Sequence, residues 1–398
     1  MKKRIFVISL FSLMLNMLFS QTQIVLWHSY RGAEKTAINK VVANFNAQNK
    51  DVKIKALAVP FDAFPDKITA AIPRGKGPDI FIFAHDRIGG WVEGNVIEPL
   101  DYYLDDDISE NFVEGAYKPM VYNESLYGLP MAVKSIVLYY NTDLLKNPPK
   151  TTDEMIAVAK KFTDPKSGKY GLVYENANYY YNACWMQGFG GRVFDKNNHP
   201  IINSPECVRS FQFSQDLFLK DKIVPPEVSN ILVTTLFNEN KAAMAISGPW
   251  FRGEIAKNIH YKVALLPIIS ETNTRALPFM SSEGVMMSAK SKNKDAAFKV
   301  MKYLVNDESA YIMAKIGKQP VANKSVYSHK DIADDPFLPI FKKQIKYSIP
   351  MPSIPQMTFV WSPASSAINA VINGESPKKA LDKAENTVLK NLKAAGFK

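Results

Sequence analysis

The stretch from residue 77 to residue 90, GPDIFIFAHDRIGG, constrains the fold more than any other part of the chain. Gly77-Pro78 is a turn signal, and the short apolar run from Ile80 to Ala84 has the pattern of a strand buried on both faces in a parallel sheet. The strand therefore ends near Ala84, with His85, Asp86 and Arg87 directly beyond it. In doubly wound α/β sheets ligands sit just past the carboxyl ends of strands, which puts these three side chains where a small molecule would be met. A carboxylate beside a guanidinium supplies strong acceptors and a fork of donors, suited to gripping hydroxyl groups. The same pair would serve equally well as a surface ion pair closing a loop.

The flanking sequence repeats the alternation of strand and helix. Ile24 to Trp27 reads as a first buried strand, and a polar turn from His28 to Gly32 follows. Ile38, Val41, Val42 and Phe45 then form one helical stripe. Val52 to Val59 is a second strand, with a short helix near Ala63 to Ile72 before the third. This alternation predicts an α/β fold with a mostly parallel sheet.

Further along, strands are predicted at Ser135 to Tyr140, Tyr170 to Tyr174, Ala242 to Ser247, Val263 to Pro267 and Glu283 to Ser288. Thr151-Thr152-Asp153-Glu154 is a capping box opening a helix that carries Met155, Ala159 and Phe162. Other helices are predicted at Tyr180 to Phe189, Pro205 to Leu219 behind an N-capping Ser204, Val233 to Asn240, Ala296 to Val305, Ala364 to Asn373 and Pro377 to Leu392.

Met1-Lys2-Lys3-Arg4 followed by the apolar run Ile5 to Phe19 has the charged start and short apolar core of a secretory signal peptide. Residues 1–20 are expected to be removed, which places the mature protein in the periplasm, without a lipid anchor because no Cys follows the apolar core. The 398 residues are too many for one ordinary core and suggest two domains. The net charge of +11 falls to +8 without Lys2, Lys3 and Arg4. The lysines are spread without a basic run interleaved with aromatics, so solvated faces explain the excess better than nucleic acid does. Cys184 and Cys207, without a CxxC, and five scattered histidines argue against a metal centre and give no reason to expect a pH switch. Whether the two cysteines pair stays open.

Four blocks, GPDIFIFAHDRIGG, LYGLPMAVKSIVLYYNTDLLKNPPKT, AAMAISGPW, and IPQMTFVW followed by INAVINGE, resemble in order and separation the landmarks of the periplasmic maltose and maltodextrin-binding proteins. These are the sugar receptors of ABC importers within the extracellular solute-binding family, and the resemblance covers nearly all of the mature chain. It implies two α/β lobes, residues 21–132 plus 281–335 and residues 133–280 plus 336–398, joined by three hinge crossings near Ala132 to Lys134, Phe279 to Ser282 and Asp334 to Phe337. It further implies a monomer that captures a sugar or oligosaccharide between its lobes, delivers it to ABC permease subunits, needs no cofactor and performs no chemistry.

The resemblance carries over to particular residues. Trp250 and Trp361 match positions that stack on sugar rings, Tyr180 matches another aromatic contact, and Asp86 and Arg87 match hydroxyl-binding positions. Without that context, each Trp reads as ordinary core packing. Phe83 stands where the family has Trp, and Lys134 and Asn178 where it has Glu. Ser365 stands where it has Arg, Arg31 takes a donor role from a shifted position, and Asp62 remains an acidic candidate. Lys134, Arg87 and Arg31 together keep an anionic ligand open, and an amino sugar remains a second alternative. A secreted glycoside hydrolase is a rival from a different class, with Asp62, Asp86 and Glu283 as its candidate carboxylates.

Overall fold

The computed structural model describes residues 21–397 apart from 105, 106, 114 and 227, so the signal-peptide segment lies outside the described residues. Strand β1 (Thr22–His28) is followed by helix α1 (Gly32–Gln48), which buries Ala37, Ile38, Val41 and Phe45 as the stripe requires. Strand β2 (Val52–Ala58), helix α2 (Phe64–Ala71) and strand β3 (Ile80–Ala84) complete the alternation. Strands β1 and β2 pair in parallel, and so do β1 and β3.

Beyond this point come β4 (Gly128–Lys134), β5 (Val137–Asn141), helix α3 (Thr152–Phe162), β6 (Tyr170–Val173) and helix α4 (Tyr179–Gly188). They are followed by β7 (Ala242–Ser247), β8 (Tyr261–Ala264), β9 (Phe279–Met287), the short β10 (Ile349–Pro350) and helix α5 (Trp361–Ile372). One sheet has the order β10-β9-β3-β1-β2, with β4 also on β9; the other runs β8-β5-β7-β6.

The expectation of a mostly parallel sheet holds for the first sheet only, where β1–β2, β1–β3 and β9–β10 are parallel. Strand β9 runs antiparallel to both β3 and β4, and β5 runs antiparallel to β7 and β8, while β6 and β7 are parallel. All nine residues of β9 are buried, and a buried apolar run reads the same in either direction. Its orientation is decided by the route of the connecting chain. Strand β4 was missed because Pro130 interrupts it; β4 pairs only with β9 within its sheet, so Pro130 lies on an edge strand.

Helix α3 opens as predicted. Thr151 Oγ1 accepts the Glu154 amide at 3.2 Å, while the Glu154 carboxylate reaches one residue further back, to the amide of Lys150 at 2.7 Å. The helix packs directly on β6 because residue 171 is glycine: a Cβ there would lie 2.2 Å from the Cα of Ala159. Cys184 and Cys207 are both buried free thiols, and burial pushes the Cys184 thiol well up. Among the described residues no helix is long and apolar enough to cross a membrane.

Two histidines are fully buried at the carboxyl ends of strands. His28 accepts the Tyr30 amide on Nδ1 at 3.1 Å, and burial, helped by Lys35, lowers its pKa from 6.5 to about 4. His85 accepts the Ser282 amide on Nδ1 at 3.0 Å and donates from Nε2 to the Met351 carbonyl at 2.9 Å; burial lowers its pKa as well. Both rings are therefore neutral in the folded chain. Between pH 6.5 and about 4 the unfolded chain takes up more protons at His28 than the folded one, so stability falls as pH is lowered through that window. The loss approaches about 1.4 kcal/mol per pH unit. Asp86 and Glu34, whose carboxyls burial raises, act in the opposite sense. Comparison with a His28→Gln variant isolates the histidine: its urea midpoint should decline less steeply from pH 6.5 to 4, and parallel declines would refute the assignment.

Candidate functional site

Parallel strands bring their carboxyl ends to one edge of each sheet, and the two edges supply the candidate residues. From β1 the chain enters Tyr30 and Arg31, from β2 Phe61 and Asp62, and from β3 Asp86 and Arg87. In the second sheet β6 leads into Glu175 to Tyr180, and β7 into Gly248-Pro249-Trp250. The two edges touch: Arg31 Nε lies 2.6 Å from Glu254 Oε1, and Lys134 Nζ sits 5.9 Å from the Trp250 ring centre.

The tightest group surrounds Asp86, which is buried. Its Oδ2 accepts a hydrogen bond from the Trp361 indole Nε1 at 3.0 Å and lies 3.2 Å from Arg87 Nε, an ion contact without an aligned hydrogen bond. The Arg87 guanidinium carbon stands 5.9 Å from the Trp361 ring centre. Burial pushes the Asp86 carboxyl up, and the Arg87 guanidinium and the Trp361 hydrogen bond hold it back. Tyr179 and Phe279 meet the Trp361 ring in T-shaped contacts at 6.0 and 5.9 Å.

Trp250 owes its position to Gly248. Its six-membered ring lies over that glycine so closely that a Cβ at 248 would be 2.2 Å away. The Trp250 indole Nε1 is buried with no hydrogen-bond partner among the described residues. Tyr180 links the two groups, with its ring 6.4 Å from both Trp250 and Phe279. Burial raises its hydroxyl pKa, and the charges of Asp86 and Glu283 add to the rise. Asp86, Arg87, Trp361, Tyr180 and Trp250 thus form one constellation of flat rings and charged groups.

Four other candidates are engaged differently from the expectation. Lys134 is not a free donor: its ammonium lies 2.9 Å from Glu283 Oε2 and 3.1 Å from Glu34 Oε1, all three side chains being buried. Burial alone would lower its pKa, but the two carboxylates outweigh it and hold the amine protonated. Tyr30 donates to Glu283 at 2.5 Å and Gln319 to Glu34 at 2.9 Å, which completes the network. Phe83 does not present its ring to the cleft; it is 3% exposed, enclosed by Phe61, Phe64 and Trp91. Asn178 caps helix α4, its Oδ1 accepting the Tyr180 amide at 3.0 Å. Arg31 is taken up by Glu254, which also accepts from the Thr234 hydroxyl at 2.8 Å.

Asp62 is exposed, on the turn after β2. Its charge is felt at Glu175, whose carboxyl burial raises, whereas the Tyr181 hydrogen bond and Arg31 lower it. Glu175 was not anticipated, although its place just beyond β6 is the position where the strand-end rule looks for ligands. Asn176 beside it is 2% exposed, with both amide atoms unpaired among the described residues. Tyr30, Glu34 and Gln319 gave no local signal at all.

Comparisons with known proteins show the family and the fold. Residues 31–311 match the model of the bacterial extracellular solute-binding protein family. The maltotriose-binding protein of Pyrococcus abyssi is 30% identical over 386 residues, covering 93% of this chain and 82% of that protein. The galactooligosaccharide-binding protein of Bacillus subtilis is 31% identical over 390 residues, covering 94% and 90%. Among solved structures, a maltose/maltodextrin-binding domain from Bdellovibrio bacteriovorus bound to maltotriose superposes with a TM-score of 0.88 at 25% identity, covering 94% of this chain and all of that one. With this extent of match in sequence and in fold, the chain belongs to the bacterial extracellular solute-binding proteins.

Proposed function

We propose that this protein is the sugar-capturing receptor of an ABC importer, taking an oligosaccharide of the maltodextrin kind between its two sheet edges. The observation that carries the reading is the constellation of Trp250, Trp361 and Tyr180 around the buried Asp86-Arg87 pair. Flat rings cover the apolar CH faces of pyranoses, and each hydroxyl buried without a partner would cost about 1–3 kcal/mol, so charged groups must accompany the rings. The names of the relatives support the same ligand class.

The carboxylates Glu34, Asp62, Asp86, Glu175, Glu254 and Glu283 outnumber Arg31, Arg87 and Lys134 here. That balance opposes an anionic ligand, since Lys134 is already neutralised by two of them. It leaves an amino sugar as the second reading. A hydrolase needs a carboxylic acid and a second carboxylate both free to act on the scissile bond. Glu283 is instead bound by Lys134 and Tyr30, and Asp86 by Trp361, which supports binding without chemistry.

In this reading the lobes are residues 21–132 plus 281–335 and 133–280 plus 336–398, and the three crossings act as the hinge. Ligand favours the closed form because only that form lets both lobes contact it, and a permease would read the difference. Residues 1–20 direct export to the periplasm.

The test is the melting temperature of residues 21–398 with maltotriose, maltotetraose, a galactooligosaccharide, glucosamine, glucuronate and glucose phosphate. A ligand at about 100 times its dissociation constant adds roughly 2.7 kcal/mol, enough for a shift of several degrees. Neutral oligosaccharides should raise the melting point without release of new reducing ends. A response confined to glucuronate or glucose phosphate, or none across the panel, would refute the proposal.

A further inference from the structure

Phe61 lies on the short turn after β2, at the same sheet edge as Asp86, and is 52% exposed. Its ring is not loose: it stacks on Phe83 at 5.2 Å between centres and 24° between planes. Phe83 stacks in turn on Phe64 at 5.1 Å and 9°, and on its third side meets Trp91 at 5.7 Å. The ring at position 83 is therefore sealed within a pile of aromatics whose outermost, solvent-facing member is Phe61. Strand β2 runs in register with β1, His28 opposite Ala58, and Arg31 just beyond His28 meets Glu254 of the opposite edge, so the turn that carries Phe61 borders the cleft. An exposed Phe on a short turn forfeits hydrophobic stabilisation unless something covers it, and a stacked backing ring fixes the orientation in which it is presented.

We infer that Phe61 is a specificity-determining aromatic platform, which receives one pyranose ring of the bound oligosaccharide at the rim of the cleft in place of the buried Phe83. The inference rests on the oligosaccharide reading of the site. Its occupant is the CH face of a sugar ring, because the flat apolar surface is flanked by Asp62, an acceptor for the equatorial hydroxyls that project from such a ring's rim. Deeper in the cleft, Trp250, Trp361 and Tyr180 hold the remaining rings.

Calorimetric titration of maltose, maltotriose and maltotetraose into wild type, Phe61→Leu and Phe61→Trp tests this. Leucine keeps Phe83 covered but removes the flat face, so affinity for the longer chains should fall about tenfold, with maltose less affected and the melting point of the free protein unchanged. Tryptophan should restore or tighten binding. If wild type binds and Phe61→Leu binds all three sugars equally well, the platform is refuted while the function stands. If wild type binds none of them, the platform falls together with the maltodextrin reading on which it rests.

Discussion

Replacing Trp361 with alanine should weaken oligosaccharide binding by at least about a hundredfold, the largest loss expected from any single ring in the cleft. Two contributions combine. The variant loses the indole face, and truncating a Trp that anchors a binding site typically costs about 2 kcal/mol or more of binding energy. It also removes the N–H that donates to Asp86 at 3.0 Å, leaving a buried carboxylate with one partner fewer. Burial already pushes that carboxyl up, so the orphaned group would protonate more readily and become a poorer acceptor for a sugar hydroxyl. Trp361→Phe separates the two, since it keeps a ring and drops the donor, and should fall between wild type and the alanine variant. Titration calorimetry reads all three proteins, with circular dichroism as the check on fold. Wild-type affinity in the alanine variant would remove Trp361 from the site.

Lys134→Met should produce the largest loss of stability, about 3–5 kcal/mol, because it strands two buried carboxylates on one vacated site. Glu34 and Glu283 both depend on the Lys134 ammonium, at 3.1 and 2.9 Å, and without it the two buried carboxylates repel each other. Burial, Glu283 included, raises the Glu34 carboxyl even with the lysine present, so the variant's folded form will hold a proton that its unfolded form releases. Its deficit should therefore shrink as pH is lowered, and denaturant melts at neutral and mildly acidic pH would read the change. Neutralising the partners as well, in Lys134→Met/Glu34→Gln/Glu283→Gln, should recover most of the loss. A single variant as stable as wild type at neutral pH would mean that the ammonium is dispensable. The same geometry explains why an unexpected lysine in a sugar site need not select anions: its charge is spent on the protein's own carboxylates.

Much of the architecture was legible in the residues. The run Ile80 to Ala84, the stripe on α1, the Thr151 capping box and the N-capping Ser204 each specify an element through contacts within a few positions, and each element formed. The placement of Asp86 and Arg87 past a strand end followed from local pattern alone. The two tryptophans needed the family resemblance, since a lone Trp near a strand end has the same pattern as a core residue. Strand direction in β9 escaped, since a fully buried run looks identical from either end. The fates of Lys134, Phe83, Asn178 and Arg31 escaped for a shared reason: each was judged by its own chemistry, whereas its role was set by a neighbour.

Some of those neighbours are distant in sequence. Glu34 lies 100 residues from the lysine it pairs with, and Glu254 lies 223 from Arg31. Local sequence determined most of the secondary structure and which chemical groups lie at strand ends, because hydrogen-bonding periodicity and capping act over one or two turns. Which of those groups face the ligand, and which are spent on one another, was decided only by tertiary structure, because burial and Coulomb pairing depend on what the folded chain brings within a few ångströms.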